Sequence, residues 1–355
     1  MTSHRSAPNR DSLSSAEETS VRLTGILQSW LMPLLVSAIS LSYAFLDWNI
    51  YRERSLAHPD GWKLYFSGKI DAPWQYRIGV WEVVKWLHRW FHLKAYDALT
   101  LIDVLCLALS LWLVLRVLRN FEAYKIASPP TQWLATAGVL FLAEYYLVWG
   151  HWFQTEDTMP SILYVMFSLA LVYGEIVRSR VLACLLLVGL GCIQGLVRAD
   201  VAVVLHTGFF LAVLFNFNKK AVPLGRSWQA ATSLLAALAA GCVQLYLMLV
   251  RFPNARYGPE GVFQLMNNLK PEMWATMMLA TLPFWLLLGL IAGKRYLPDA
   301  VTTMLLVSSL LYLPLWATVG LLDEVRIFLP FAFALMPATV LAFVGLMPQS
   351  SSTGN

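Results

Sequence analysis

From one apolar run of this chain to the next, the connecting loops alternate between basic and acidic, the pattern of a polypeptide stitched repeatedly through a bilayer. One set carries Arg116, Arg119 and Lys125, then Arg178 and Arg180, then Lys219, Lys220 and Arg226, then Lys294 and Arg295. The alternate set carries Glu156 and Asp157, Asp200, Glu260 and Glu272, and Asp323 and Glu324. Loop Lys and Arg bias a loop toward the cytoplasm, so the basic set is assigned there and the acids gather on the opposite, outer face. Three arginines that interrupt or border apolar runs, Arg77, Arg198 and Arg326, fall on that acidic face.

Composition agrees. Of 355 residues, 58% are hydrophobic and 13% charged, against about 25% charged in a soluble domain. The expected fold is therefore all-α: a polytopic integral membrane protein. The net charge of +5 reflects the loops and gives no reason to expect a nucleic-acid partner. Cys106, Cys184, Cys192 and Cys242 all fall inside apolar runs and read as small embedded hydrophobes, neither disulfide framework nor metal cluster.

A bilayer core needs roughly 20 apolar residues per helix. That length predicts about ten spans, near 24–46, 97–118, 132–150, 158–177, 181–197, 200–217, 228–250, 273–293, 299–320 and 327–346. The even count puts both termini in the cytoplasm, and a bacterial inner membrane suits the pattern. The organisation is then a disordered tail over 1–22, one transmembrane helical domain over 23–348, and a second disordered tail over 349–355. Two places depart from plain hairpins. The first outer loop, about 47–96, is long and half-apolar, and from Pro73 to Phe91 it mixes Trp81, Trp86 and Trp90 with Arg77, Lys85 and Arg89. That mixture predicts an interfacial amphipathic helix. Between Gly195 and Asp200 two apolar runs meet with almost no loop, and irregular backbone at that depth must be buried in protein or line a wet cavity.

Asp47, at the outer end of the first span, is the leading candidate for a general base; the alternative is an acid that only ends a helix. Tyr76 and Arg77 follow Pro73 and Trp74, and a guanidinium matches phosphate oxygens bidentately. Arg198 and Asp200 are charges against apolar runs, which is costly and marks either a local pair or a task. Glu156 and Asp157 precede the fourth span, where they could hold a divalent cation such as Mg or Mn, or favour the helix N-terminus. Glu324 and Arg326 form a compact pair before the last span, suited to a phosphate or a sugar hydroxyl. Asp103 and Glu144 lie within spans and should face protein. No nucleotide-binding loop, dinucleotide fingerprint, HExxH or CxxC motif occurs, so no organic cofactor is expected.

In this order the elements resemble the GT-C superfamily of multi-pass membrane glycosyltransferases. The resemblance runs from Asp47 through Ala72-Pro73-Trp74-Gln75-Tyr76-Arg77, Glu156-Asp157 and Val197-Arg198-Ala199-Asp200 to Glu324-Val325-Arg326-Ile327-Phe328-Leu329-Pro330. It differs from better-known members in carrying a single acid after the first span. The resemblance implies transfer of a sugar from a polyprenyl-phosphate donor to an acceptor on the outer face. Asp47 would be the base, while Arg198, Arg326 and Arg77 bind phosphate and sugar, and Glu156 and Asp157 orient the acceptor or bind a metal. The partners implied are membrane lipids and the polyprenyl-phosphate sugar. Two other classes stay open: a carrier or flippase of a lipid-linked or anionic solute, and a structural membrane subunit. Convergence of Asp47, Arg77, Arg198 and Arg326 on one outer cavity with a lipid-sized side opening separates an enzyme from a scaffold, and their wide dispersal would remove the site.

Overall fold

A computed structural model describes residues 10–151, 156–256 and 263–345; within these, every regular element is helical. The helices are α1 (Arg10–Ala57), α2 (Gly61–Phe66), α3 (Ile78–Phe91), α4 (Ala95–Leu118), α5 (Glu122–Lys125), α6 (Pro129–His151) and α7 (Thr158–Val172). They continue as α8 (Arg180–Gly195), α9 (Ala199–Leu214), α10 (Arg226–Tyr246), α11 (Pro271–Ala280), α12 (Leu282–Ala292), α13 (Ala300–Val319) and α14 (Leu329–Val344). Five stretches are long and apolar enough to cross a membrane: Pro33–Ala57 of α1, then α4, α6, α10 (with its extension to Arg251) and α13; α11 and α12 make a sixth if counted together. Large apolar side chains such as Leu105, Phe141, Leu235, Leu238 and Leu249 stand exposed on these helices, a surface that water would not tolerate over such an area. The chain is a helical membrane protein.

Several boundaries differ from the sequence expectation, each for a physical reason. The first helix does not stop near Leu46. No Gly or Pro interrupts the chain from Asp47 to Ala57, so the helix runs on to Ala57 and ends two residues before Pro59, whose ring disfavours helix in the residue preceding it. Asp47 is thus inside a helix, and the first loop begins some ten residues later than expected. The same helix already starts at Arg10, within the stretch expected to be disordered. The span expected over 273–293 is two helices bent by 73°. Pro283 opens the second, and Thr281 at the break takes the Trp285 indole N–H at 2.8 Å while donating to the Met277 carbonyl. The interfacial helix starts at Ile78, and the residues before it form a short 3-10 turn, Trp74–Tyr76. Residues 1–9 and 346–355, and Glu260, lie outside the described residues.

Helices α7, α8, α9 and α14 are shorter, 15 or 16 residues each, or roughly 24 Å at 1.5 Å per residue. Burial explains two of them. Every residue of α14 from Leu329 to Ala342 is buried, and α7 is buried almost throughout, so neither has to match the thickness of lipid. Around this pair, α4 packs on α1 and α7, α6 on α14, and α9 lies against both α10 and α13.

The α9–α13 contact depends on Gly208. A Cβ there would sit 2.2 Å from Ser308 Oγ and 2.5 Å from Ser308 Cα. Gly208→Ala should lower stability by about 1–3 kcal/mol through overpacking, read as a lower unfolding midpoint in detergent, and an unchanged midpoint would show that the two helices separate freely.

The charge sorting of the loops is a property of the fold. Arg116 lies 3.9 Å from Glu175, Tyr173 donates to Asp299 at 2.9 Å, and Asn218 donates to the Pro298 carbonyl at 3.1 Å. These contacts draw the basic loops together at one end of the bundle. The acids and buried arginines meet at the other.

Candidate functional site

At the acidic end, Asp157 takes up a central position. It precedes α7, where its carbonyl accepts both the Ser161 N–H and the Ser161 hydroxyl, and Gln194 near the end of α8 donates to that same hydroxyl at 3.0 Å. Two arginines close on its carboxylate: Arg77 Nη1 at 3.1 Å and Arg198 Nε at 3.5 Å from Oδ2. They can meet because α3 docks directly on the α8–α9 turn. The Gly79 N–H donates to the Leu196 carbonyl at 2.8 Å, and a Cβ on Gly79 would lie only 3.0 Å from that oxygen. The turn singled out between Gly195 and Asp200 is accordingly buried and lines a cavity.

Arg198 reaches further. Its Nη2 is 2.6 Å from Asp200 Oδ2 and also meets the Tyr312 hydroxyl, which itself donates to Asp200 at 2.5 Å. Its Nη1 is buried without a hydrogen-bond partner, an arrangement that costs about 1–3 kcal/mol for an ordinary donor and more for a charged one. Arg326, in the turn before α14, pairs with Glu324 at 2.9 Å. Burial, with Arg77 and Arg198 adding to it, pushes the Arg326 guanidinium below its ordinary value against the pull of Glu324 and Asp157.

These groups wall a cavity of about 820 Å³. Arg77, Arg198, Asp200, Glu324, Arg326 and Tyr76 line its polar side, and Tyr76 packs with Leu247 and Phe252 behind it. Its other side is apolar: Val203 of α9, Leu245 of α10, Met248 just beyond it, and Leu315 and Val319 of α13.

A second cavity, about 590 Å³, lies behind a shared wall of Trp74, Glu324 and Arg326. The guanidinium of Arg77 lies 4.7 Å and that of Arg326 5.5 Å from the Trp74 ring centre. The lining of the second cavity is aromatic and polar: Trp62, Tyr65, Trp81, Tyr51, His58 and Glu156 among others. Glu156 Oε1 accepts the Tyr65 hydroxyl at 2.6 Å and the Trp81 indole N–H at 3.1 Å, and the two rings stack with centres 4.6 Å apart. Burial, and after it the nearby Glu156 charge, holds the Tyr65 hydroxyl well above its ordinary value, so it stays a donor. No ion pair reaches Glu156 among the described residues.

Arg77, Arg198, Asp200, Glu324, Arg326 and Tyr76 therefore converge on one cavity, with Asp157 behind them and Glu156 on the neighbouring one. Asp47 does not join them. It is 1% exposed, lines neither cavity, and stands beside Asp103 where α1 packs on α4. Glu156 and Asp157 fit a divalent cation poorly. Asp157 sits between two guanidinium groups that would repel it, Glu156 is turned toward neutral donors, and no group of three or more His, Cys, Asp or Glu suited to a metal occurs among the described residues.

Sequence reasoning missed Tyr312, Tyr65 and Tyr51. The only available signal for Tyr312 was a lone phenol in an apolar run facing a turn rich in charge; Tyr65 and Tyr51 stand in segments with too many aromatics to single them out. No protein-family model, no curated protein and no solved structure matches this chain.

Proposed function

We propose that this protein is a membrane glycosyltransferase that moves a sugar from a polyprenyl-phosphate donor to a polar acceptor on the outer face. The observation that carries the reading is the first cavity: three arginines on one wall, one with a buried unpaired N–H, and apolar flanks from α9, α10 and α13 on the other. A phosphate esterified to a long hydrocarbon has that same division. The second cavity, with Trp62, Trp81 and Glu156, suits an acceptor bearing hydroxyls that stack and hydrogen-bond. Two cavities that share Trp74, Glu324 and Arg326 in their linings favour transfer between two ligands over passage of one.

In this scheme the acceptor oxygen attacks the anomeric carbon, and its proton goes to Glu156. The bond from that carbon to the phosphate oxygen breaks, and the phosphate leaves with the electron pair. Arg77, Arg198 and Arg326 oppose the charge that develops on the leaving oxygen. Base duty thus passes from Asp47 to Glu156, which faces the cavity as Asp47 does not. Ten membrane passes, both termini in the cytoplasm and a bacterial inner membrane belong to the same proposal, supported by the loop charges. A carrier is favoured less, because the three buried or half-buried arginines gather on one cavity instead of following one another through the bundle.

The test is to incubate purified protein with a panel of polyprenyl-phosphate sugars and assay transfer or hydrolysis. Activity should appear with at least one donor, and Arg77→Met or Arg326→Met should raise donor KM by roughly 10–100-fold, the worth of one charge-assisted hydrogen bond. Movement of intact lipid-linked sugar across vesicles, with no bond broken, would favour a carrier instead.

A further inference from the structure

One buried acidic group remains without a role in that scheme. Asp47 of α1 and Asp103 of α4 are 1% and 3% exposed, and their carboxyl groups stand side by side inside the bundle where α1 packs on α4. Carboxylates are acceptors only, so two that stand together can bond to each other only with a proton on one. Two bare charges there would also be costly in a membrane protein. The pair is not sealed off. Tyr51, one turn along α1 from Asp47, donates its hydroxyl to Asp103 Oδ2 at 2.6 Å and itself lines the second cavity. A row of polar side chains thus runs from Asp47 through Asp103 and Tyr51 to the space assigned above to the acceptor.

We propose that Asp47 and Asp103 form a proton store holding one proton between them, which exchanges with the second cavity through the Tyr51 hydroxyl. The inference rests on the transferase reading only for its purpose. When the acceptor hydroxyl becomes an ether oxygen, its proton goes first to Glu156 and must then pass from Glu156 out of the cavity before the next turnover. Tyr51 can receive a proton on its oxygen while passing its own to Asp103, so the pair goes from one proton to two and Tyr51 ends as it began. When product leaves and the cavity fills with water, the reverse transfer returns the pair to one proton. Nothing is oxidised or reduced, and no co-reactant is needed. Asp103 and Tyr51 act through the cavity groups, as positioning residues, and Asp47 sets the number of protons that Asp103 can hold.

The groups facing this chain are few. On α1 they are Tyr43 and Arg54, on α4 Cys106, and Glu156 ahead of α7 faces Tyr51; Glu144 of α6 faces Tyr43. Arg54 is the single cation among them and lines the second cavity.

The experiment is infrared spectroscopy of the purified full chain carrying isotope-labelled aspartate, at neutral pH. The expected result is a protonated aspartic-acid carbonyl band that disappears in the Asp47→Asn/Asp103→Asn double variant. Tyr51→Phe, nearly isosteric, should keep the band but slow its hydrogen–deuterium exchange by roughly tenfold or more, since a positioned proton-transfer group is worth about that or better. Either single variant, Asp47→Asn or Asp103→Asn, should also abolish or shift the band by removing one half of the pair, which covers the case in which the double variant does not fold. No protonated aspartate at neutral pH, a band that survives the double substitution in folded protein, or exchange as fast in Tyr51→Phe as in wild type would each overturn the proposal. Failure of every donor in the transfer assay would sink the transferase reading instead and leave the infrared result to stand alone.

Discussion

Arg198→Met is expected to cut sugar transfer by about 10²–10³-fold, the cost of removing one preorganised charge stabiliser from a site, and to lower stability by about 3–5 kcal/mol. Both effects have the same origin. Arg198 is buried, and its guanidinium meets Asp157, Asp200 and Tyr312 at once. Without it, Asp200 keeps only the Tyr312 hydroxyl and the more distant Arg77, and Asp157 faces Arg77 without its second cation. Initial rates and thermal unfolding in detergent measure the two effects separately. Arg198→Lys divides them further, because an ammonium keeps the charge but not the fork that spans two carboxylates. It should recover most of the lost stability and little of the rate. A methionine variant with wild-type transfer would remove Arg198 from the phosphate site.

The second large effect is expected from Glu156→Gln, a fall of about 10²–10⁴ in kcat, the usual worth of a positioned base. Donor KM should stay within about twofold, since Glu156 lines the second cavity and not the first. A rise in donor KM with kcat preserved would make Glu156 part of the donor site and refute its role as base. Tyr65→Phe serves as the graded control. It removes one of the two donors on Glu156 Oε1, worth about 0.5–1.5 kcal/mol, and should slow transfer by roughly 2–10-fold while leaving the Trp81 bond in place.

Much of the layout could be read from the chain because it follows from charge and length. Arg77, Arg198 and Arg326, each placed against apolar sequence, do meet around one cavity, with Asp157, Asp200 and Glu324 beside them. Isolated charge in an apolar setting has few places to go, which makes such residues readable. What escaped was continuity of the backbone. Asp47 looked like the last residue of a span because hydropathy falls there, but helix propensity does not end where hydropathy does. Three further turns of α1 turned that side chain inward against Asp103. Conversely, the single apolar run over 273–293 concealed a bend of 73°, since Pro283 interrupts hydrogen bonding without changing hydropathy. The aromatic donors were hidden for a related reason. Tyr65, Tyr312 and Trp81 are apolar by bulk, and only their tertiary surroundings turn one atom of each into a functional group.

The indole of Trp74 belongs to both cavities, as do the side chains of Glu324 and Arg326. A molecule that recruits Arg326 on one side rearranges a surface that a molecule on the other side touches. The two occupants are therefore thermodynamically linked, and each changes the affinity of the other by an identical factor. If the protein is the transferase proposed above, a donor that tightens this partition would improve the acceptor's hold. The partition makes commitment to reaction a property of the pair of ligands and not of either alone.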